Sequence, residues 1–274
     1  MKSTKKRILV LSGMGHDLDV TLKSAASLAQ IMDAEIDFFS VMKPTDIVDK
    51  ESQLSAIRTI NKEQAHFNKK LKSVLDPYAS EFGIDIQKKF TFGNVKNEIE
   101  DRIRQTKPDA IVIGKRKTNT FRFTGDKVAD FVLNKYSGPV LIASGTNILE
   151  PKGNLSIGVL KSKESLSSES VLHKLLERST QPVKAFKIIE KGEGTKNNNV
   201  VSEDGIEEFV FEKNDNVVKN LSNYLIKSNV NLLCIERDGE NAKKNKERPW
   251  SIKDIIHNIN VPMLLTNEAG LIWN

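Results

Sequence analysis

Near-continuous aliphatic runs recur along the first half of the chain, and amphipathic stretches separate them. The runs read RILVLS, EIDFFSV, IQKKFTF, AIVIG and PVLIAS. Between them, the ranges 20–32, 52–75 and 94–106 space their apolar residues along one face of a helix. Strands this apolar need cover on both faces, as in parallel sheets that lie between helices. The pattern therefore predicts an α/β fold with a doubly wound parallel sheet.

The second half of the chain repeats the first at a nearly constant displacement. Asn94 and Ile113 have counterparts in Asn216 and Ile235, each 122 positions later, and SGPVLIAS is echoed by INVPMLLTN. A constant displacement of this kind indicates an internal repeat. Two domains are predicted, 1–147 and 152–274, with the boundary in the segment GTNILEPKGN, where Gly, Asn and Pro cluster.

The second copy is shorter than the first. At its front, Ile157 matches Ile8 at a displacement of 149, so roughly 27 residues are missing before the fourth strand. The missing piece is predicted to be the long second helix, because KAFKII runs directly into a Gly/Asn-rich stretch without apolar periodicity. That stretch, 191–205, is predicted to be a mobile loop, since it offers little apolar area to offset the entropy of ordering.

Composition narrows the function classes. The 274 residues are 38% hydrophobic and 28% charged, which suffices for two globular cores. No long apolar run and no secretory leader is seen, which predicts a cytoplasmic protein without membrane contact. The 42 basic residues barely exceed the 36 acidic ones, and aromatic residues are 6% without basic neighbours in a regular pattern. No nucleic-acid partner is therefore expected.

The residue types that carry catalysis or bind metals are scattered. The four histidines stand singly, and no C-x-x-C spacing exists, so no metal site is predicted. Neither a G-x-S-x-G elbow nor a G-x4-G-K-[ST] loop is present, and no catalytic residue is assigned. Cys234 lies in the apolar run NLLCIE and is interpreted as a core residue.

A basic loop follows the AIVIG run. Lysine binds phosphate as a point charge and arginine as a planar fork, so such a loop could form an anion site. A solvated surface loop is the favoured interpretation, since charge runs are mostly surface. The loop carries five cations: Lys115, Arg116, Lys117, Arg122 and Lys127.

Two copies of this strand and helix order resemble a tandem universal stress protein whose second copy is degenerate. The resemblance covers nearly the whole chain and is strongest at TFGNVKNEIEDRIRQTKPDAIVIGKR and SGPVLIAS. It implies two five-stranded parallel-sheet domains of the adenine nucleotide alpha hydrolase-like type, packed against each other as an intramolecular pseudo-dimer. It also implies that the strand at 139–144 pairs antiparallel with the strand at 262–267.

Family members that bind ATP carry the loop G-x2-G-x9-G-[ST] after the fourth strand. Its glycines let backbone N–H groups approach the phosphates, and its hydroxyl residue opens a helix whose positive end favours an anion. Here Gly114 matches the first glycine, Lys117 replaces the second, and Gly125 with Asp126 arrives two residues early. An Asp is a good N-cap, but its carboxylate repels phosphate.

The same ATP-binding members also carry an Asp just after the first strand. Gly13 stands at that position here, and Asp17 follows as the interpreted start of a helix. A Gly13-x-Gly15 loop could accept phosphate through its backbone, although a tight strand-to-helix turn is the favoured interpretation. In the second copy, Glu236 replaces Gly114, so no nucleotide is expected there. The candidate cofactor-binding residues are therefore Ser12, Gly13, Gly15, Gly114, Arg116, Lys117, Gly125 and Asp126.

The resemblance and the departures from the ATP-binding pattern leave two hypotheses for the function. The favoured one is a non-enzymatic stress-response module that binds an unidentified protein or small molecule and needs no cofactor. The alternative is a protein that binds ATP, or another phosphate-bearing ligand, in the first domain and has slow ATPase activity. Tight ATP binding is not expected, because the Asp, the second glycine and the terminal Ser or Thr of the family pattern are all missing. A homodimer is compatible with both hypotheses.

Overall fold

The chain forms two compact units, Met1–Tyr136 and Ser137–Asn274. The computed structural model describes residues 5–15, 17–46, 53–115, 125–144, 148–150, 154–161, 175, 179, 182–190, 206–237 and 250–267.

The first unit alternates strands and helices in the predicted order. Its strands follow the spatial order β3-β2-β1-β4, and every described pairing among them is parallel. Ile8 of the central strand lies opposite Ile36 on one side and Ala110 on the other. The elements are β1 (Lys6–Leu11), α1 (Leu18–Met32), β2 (Ala34–Met42), α2 (Gln53–Phe82), β3 (Ile86–Phe92), α3 (Val95–Thr106), β4 (Ala110–Gly114) and α4 (Gly125–Lys135).

Burial explains why the aliphatic runs become the central strands. The side chains of Ile8 and Val10 lie on one face of the sheet and that of Leu9 lies on the other. All three are fully buried, as is Ile111 of β4. A strand that is buried on both faces gains from apolar residues at every position, which is the pattern seen in the sequence. The predicted parallel α/β architecture of this unit is therefore confirmed.

Helix α2 is longer than the sequence predicts. The expected end was at residue 75, ahead of Pro77, but the helix continues to Phe82. Proline removes one backbone hydrogen bond, and the turn beyond it is anchored by Tyr78, whose hydroxyl donates to Asp19 of α1 at 2.8 Å. Burial and this carboxylate raise the pKa of Tyr78 to about 12. The tertiary contact thus extends the helix beyond its local stop signal.

The second unit has the strand order β5-β10-β9-β6-β7-β8. All its described pairings are parallel except that of β5 with β10, which is antiparallel with Leu141 opposite Leu264. The antiparallel pairing implied by the resemblance is therefore confirmed. The elements are β5 (Val140–Ala143), β6 (Ile157–Lys161), β7 (Val183–Ile189), β8 (Ile206–Glu212), α5 (Val217–Lys227), β9 (Leu232–Arg237), α6 (Ile252–Asn258) and β10 (Met263–Asn267).

Strands β6 to β10 follow the order of the first unit. With β6 counted as first, the sequence β8-β7-β6-β9 matches β3-β2-β1-β4. This agreement supports the internal repeat, while the domain boundary, the pseudo-dimer and the degenerate second copy stay predictions. The predicted loop at 191–205 lies outside the described residues. Cys234 is a core residue of β9, and burial raises the pKa of its thiol to about 12.

Candidate functional site

A pocket lies at the carboxyl ends of β1 and β4 in the first unit. Its cavity volume is about 40 Å³, and it opens to solvent on one side. From β1 the chain continues to β2 and β3 on one side of β1, and then returns to form β4 on the other side. The direction in which strands are added to the sheet therefore reverses between β1 and β4. Ligands of open α/β sheets bind outside the carboxyl ends of the strands at such a reversal.

The loop from β1 to α1 forms the polar side of the pocket. Ser12, Gly13 and Gly15 line it, and the Ser12 hydroxyl donates to the Gly13 carbonyl at 3.0 Å. The Leu18 N–H donates to the Gly15 carbonyl at 3.1 Å, which closes the loop into the helix. The loop is thus a tight strand-to-helix turn, as expected.

Asp17 brings a carboxylate to the same pocket. It occupies the N-cap position of α1, as predicted, but its side chain makes no capping hydrogen bond. Its carbonyl oxygen instead accepts from the Thr21 hydroxyl at 2.6 Å. Of the lining residues that the structure describes, Asp17 alone is ionisable.

Gly114 ends β4 beside α1. A Cβ atom at this position would lie 2.5 Å from Thr21 Oγ1, far inside van der Waals contact. Glycine is therefore required here by the packing of α1 on β4, whether or not a ligand binds. The match to the first glycine of the family loop has a structural cause.

Replacing Gly114 with alanine is expected to lower the free energy of unfolding by about 1–3 kcal/mol through overpacking. Thr21→Ala removes the clashing oxygen, because the next atom, Thr21 Cβ, lies at 3.7 Å. The variant with both changes should then be less destabilised than the sum of the two single variants. Urea denaturation of all four proteins measures this coupling. Strictly additive effects would show that the close approach does not determine the residue.

The remaining walls of the pocket are apolar. Phe39 and Val41 of β2 point to one face, and Ile113 of β4 closes the floor. Ile99 of α3 and Val128 of α4 cover this face of the sheet. A largely apolar concave site with few polar groups is the usual form of a small-molecule pocket.

A buried ion pair holds the Phe39 wall in place. Asp37 of β2 is 1% exposed and accepts hydrogen bonds from Nε of Arg102, at 2.9 Å, and from its Nη2. The guanidinium carbon of Arg102 lies 5.7 Å from the centroid of the Phe39 ring. Because the bidentate pair fixes the guanidinium plane, Arg102 restricts the ring that lines the pocket.

The sequence profile of the universal stress protein family matches residues 5–144. This chain belongs to the universal stress protein family. The match spans β1 to β5 and so includes the whole pocket. No curated protein matches the sequence.

Solved structures support the same fold for nearly the whole chain. A universal stress protein from Archaeoglobus fulgidus matches 95% of this chain and 98% of its own, with 15% identity and a TM-score of 0.62. A functionally unknown protein from Pseudomonas aeruginosa matches 96% of this chain and 92% of its own, with 10% identity and a TM-score of 0.56. At these identities the likeness concerns the fold alone.

The structure of this universal stress protein brings together four of the eight predicted site residues. Ser12, Gly13, Gly15 and Gly114 line one pocket although β4 is about 100 residues from β1. Arg116 and Lys117 lie outside the described residues, as do the side chains at 125 and 126, where α4 begins. A ligand role for all eight stays a prediction.

Sequence reasoning missed the apolar walls and the carboxylate of Asp17. Phe39, Val41 and Ile113 were interpreted only as strand residues, since buried strands and pocket floors use the same side chains. Their position at the carboxyl ends of neighbouring strands is the signal that could have found them.

The second unit holds a different cleft. It lies between the start of α5 and α6. None of its described lining residues comes from the carboxyl ends of β6 or β9, unlike the lining of the pocket in the first unit.

Across the described ranges, no group of three or more acidic, His or Cys side chains could hold a metal ion. Within those same ranges, no helix has both the length and the hydropathy to cross a bilayer.

Proposed function

We propose that this universal stress protein is a non-enzymatic module whose first unit binds a small, largely apolar ligand. One observation carries the proposal. The four predicted residues Ser12, Gly13, Gly15 and Gly114 meet at the mouth of a pocket whose other walls are apolar. Such a site gains binding free energy from its walls and orientation from a few polar groups.

The charge at the mouth favours a ligand with a hydrogen-bond donor. The Asp17 carboxylate lines the pocket and makes no capping hydrogen bond. A carboxylate attracts donors and cations and repels phosphate, the more strongly where apolar walls lower the dielectric. A polar group of the ligand would donate to Asp17 while its apolar body contacts Phe39 and Val41.

The described lining of the pocket favours a binding role over catalysis. General acid–base chemistry needs groups that exchange protons at the reacting atoms. In the described lining only Asp17 can do so, and the other polar groups are the Ser12 hydroxyl and backbone amides. The proposed output is then a change in binding to a partner, in the cytoplasm, when the pocket fills.

Nucleotide binding with slow ATPase activity is the alternative. It is favoured by the position of the pocket at the reversal of strand order beside Gly114, where α/β proteins bind nucleotides. Under this alternative the basic loop after β4 would contact the phosphates. Such binding should fall steeply with salt, because exposed charges are screened within about 8 Å at physiological ionic strength.

The decisive experiment combines native mass spectrometry of the purified full chain with calorimetric titration of ATP. We expect a small co-purifying molecule without phosphate and no tight ATP binding at physiological salt. Val41→Trp should fill the pocket and abolish the bound mass, while Ile226→Trp, which adds the same ring to an exposed position of α5, should retain it.

Asp17→Asn separates the two functions, since asparagine preserves the N-cap and removes the charge. It should weaken the co-purifying ligand under our proposal and should strengthen ATP binding under the alternative. Micromolar ATP binding by the unmodified protein, with phosphate release that Val41→Trp removes, would establish the alternative instead.

A further inference from the structure

The amino-terminal half of α2 carries an apolar stripe that no described residue covers. None of the side chains at 54–70 is buried, and Leu54 and Ile57 are 73% and 55% exposed. The helix period places Ile57 and Ile60 on the same face as Phe67, where α2 begins to contact the sheet. Leu54, Ile57 and Ile60 are called the α2 stripe below.

One face of the edge strand β8 is also open. Phe209 and Phe211 contact the Tyr224 ring of α5, with centroids 4.9 and 5.9 Å away. Side chains alternate along a strand, so Val210 points to the opposite face, and it is 42% exposed. The residues on that side, Ile206, Glu208, Val210 and Glu212, are called the β8 face.

In the first unit, a helix covers the face that corresponds to the β8 face. Its edge strand β3 has the same length as β8, and α2 from Phe67 onward covers the corresponding side, where Phe67 stacks on Phe90 at 4.8 Å. When the two strands are aligned by their ends, Val210 takes the place of Phe90. The β8 face is therefore shaped for a helix, and no described helix lies on it.

Charges on the sheet give this face a polarity. Glu208 and Glu212 lie on β8, whereas Lys187 lies on β7 directly opposite Val210 in the parallel register. Lys187 and Glu212 are exposed. Val210 thus has an acidic residue on either side of it along the edge strand and a basic residue beside it on the neighbouring, inner strand.

Charges on the helix have the complementary polarity. By the helix period, Arg58 lies on one flank of the α2 stripe and Glu63 on the other. A helix laid on the β8 face with Arg58 toward the acidic edge would bring Glu63 toward Lys187. The same orientation would put Ile57 and Ile60 over Val210.

We propose that the α2 stripe of one copy docks on the β8 face of a second copy. Each copy carries both surfaces, so copies of the chain can associate through this contact. Exposed large apolar side chains beside matching charges mark such interfaces. The occupant is a second copy of this chain because it supplies a helix with the required stripe and flanks.

Sedimentation velocity of the full chain over a range of concentrations tests the proposal. The unmodified protein should self-associate, and Ile57→Asp or Val210→Asp should each weaken association about tenfold or more. An equimolar mixture of these two variants restores one intact contact, because each retains the surface that the other lacks. The mixture should therefore contain more dimer than either variant alone.

Charge exchange provides the second test and its control. Arg58→Glu and Glu208→Lys should each weaken the dimer, and the protein with both changes should recover it. His66→Glu lies 180° from Ile57 around α2, at an exposed position, and should leave association unchanged. A monomeric unmodified protein, equal effects of His66→Glu and Arg58→Glu, or a mixture that recovers no dimer would overturn the proposal. Thermal melts of each variant confirm that the fold is retained.

Discussion

Replacing Arg102 with alanine is expected to lower the free energy of unfolding by about 3–5 kcal/mol, because a buried carboxylate loses its partner. Asp37 is 1% exposed and receives two hydrogen bonds from this guanidinium. Urea denaturation followed by circular dichroism measures the change. The same variant should weaken ligand retention, since the Phe39 wall loses the guanidinium beside its ring.

Arg104→Ala is the matched control for this prediction. Arg104 lies one helical half-turn away and pairs with Asp101 three residues earlier, but both side chains are exposed. Exposed pairs contribute about 0–1 kcal/mol, so the control should be nearly neutral. Equal losses for Arg102→Ala and Arg104→Ala would contradict the role of the buried pair. The variant Asp37→Leu with Arg102→Leu should recover much of the stability, because no lone charge remains.

Replacing Leu141 with aspartate is expected to destabilise the second unit by about 4 kcal/mol or more, since an unpaired charge enters the core. Leu141 is fully buried in β5 and lies opposite Leu264 of β10. Separation of these strands would expose apolar edges, so solubility should fall as well. Differential scanning calorimetry and a solubility assay measure both effects.

Leu141→Met keeps the volume and apolar character at this position and should cost less than about 1.5 kcal/mol. An aspartate variant that melts and elutes as the unmodified protein does would show that the β5–β10 pairing is not needed in solution.

The sequence predicted the strands that are buried on both faces. β4 begins and ends at the expected residues, 110–114, because a continuous apolar run has few alternatives to a central strand. The edge strand β3 also has the expected bounds, 86–92, although Gln87 and Lys89 are exposed. β8 was not recognised as a separate element. Its sequence, IEEFVFE, mixes charge with apolar residues because only the face toward α5 is covered.

The glycines of the candidate site were predicted because a backbone constraint leaves a mark in the sequence. Gly114 was named by its match to the first glycine of the family loop, and Gly13 and Gly15 as a tight turn after β1. The close approach of Thr21 to Gly114 and the hydrogen bond from the Leu18 N–H to the Gly15 carbonyl are the constraints that the structure shows there. The partnership of Arg102 with Asp37 joins positions 65 residues apart, and no local pattern reveals it. Long-range pairs of this kind depend on the crossing of α3 over β2, which sequence periodicity does not determine.

The pairing of β5 with β10 can form only after nearly the whole chain has been synthesised. Val140 meets Leu265, so one partner leaves the exit tunnel 125 residues before the other. At translation speeds of about 5–20 residues per second, β5 waits roughly 6–25 seconds for that neighbour. During this interval the edge of β5 that pairs with β10 has no partner strand. This open edge is an aggregation hazard until β10 emerges, at the very end of synthesis.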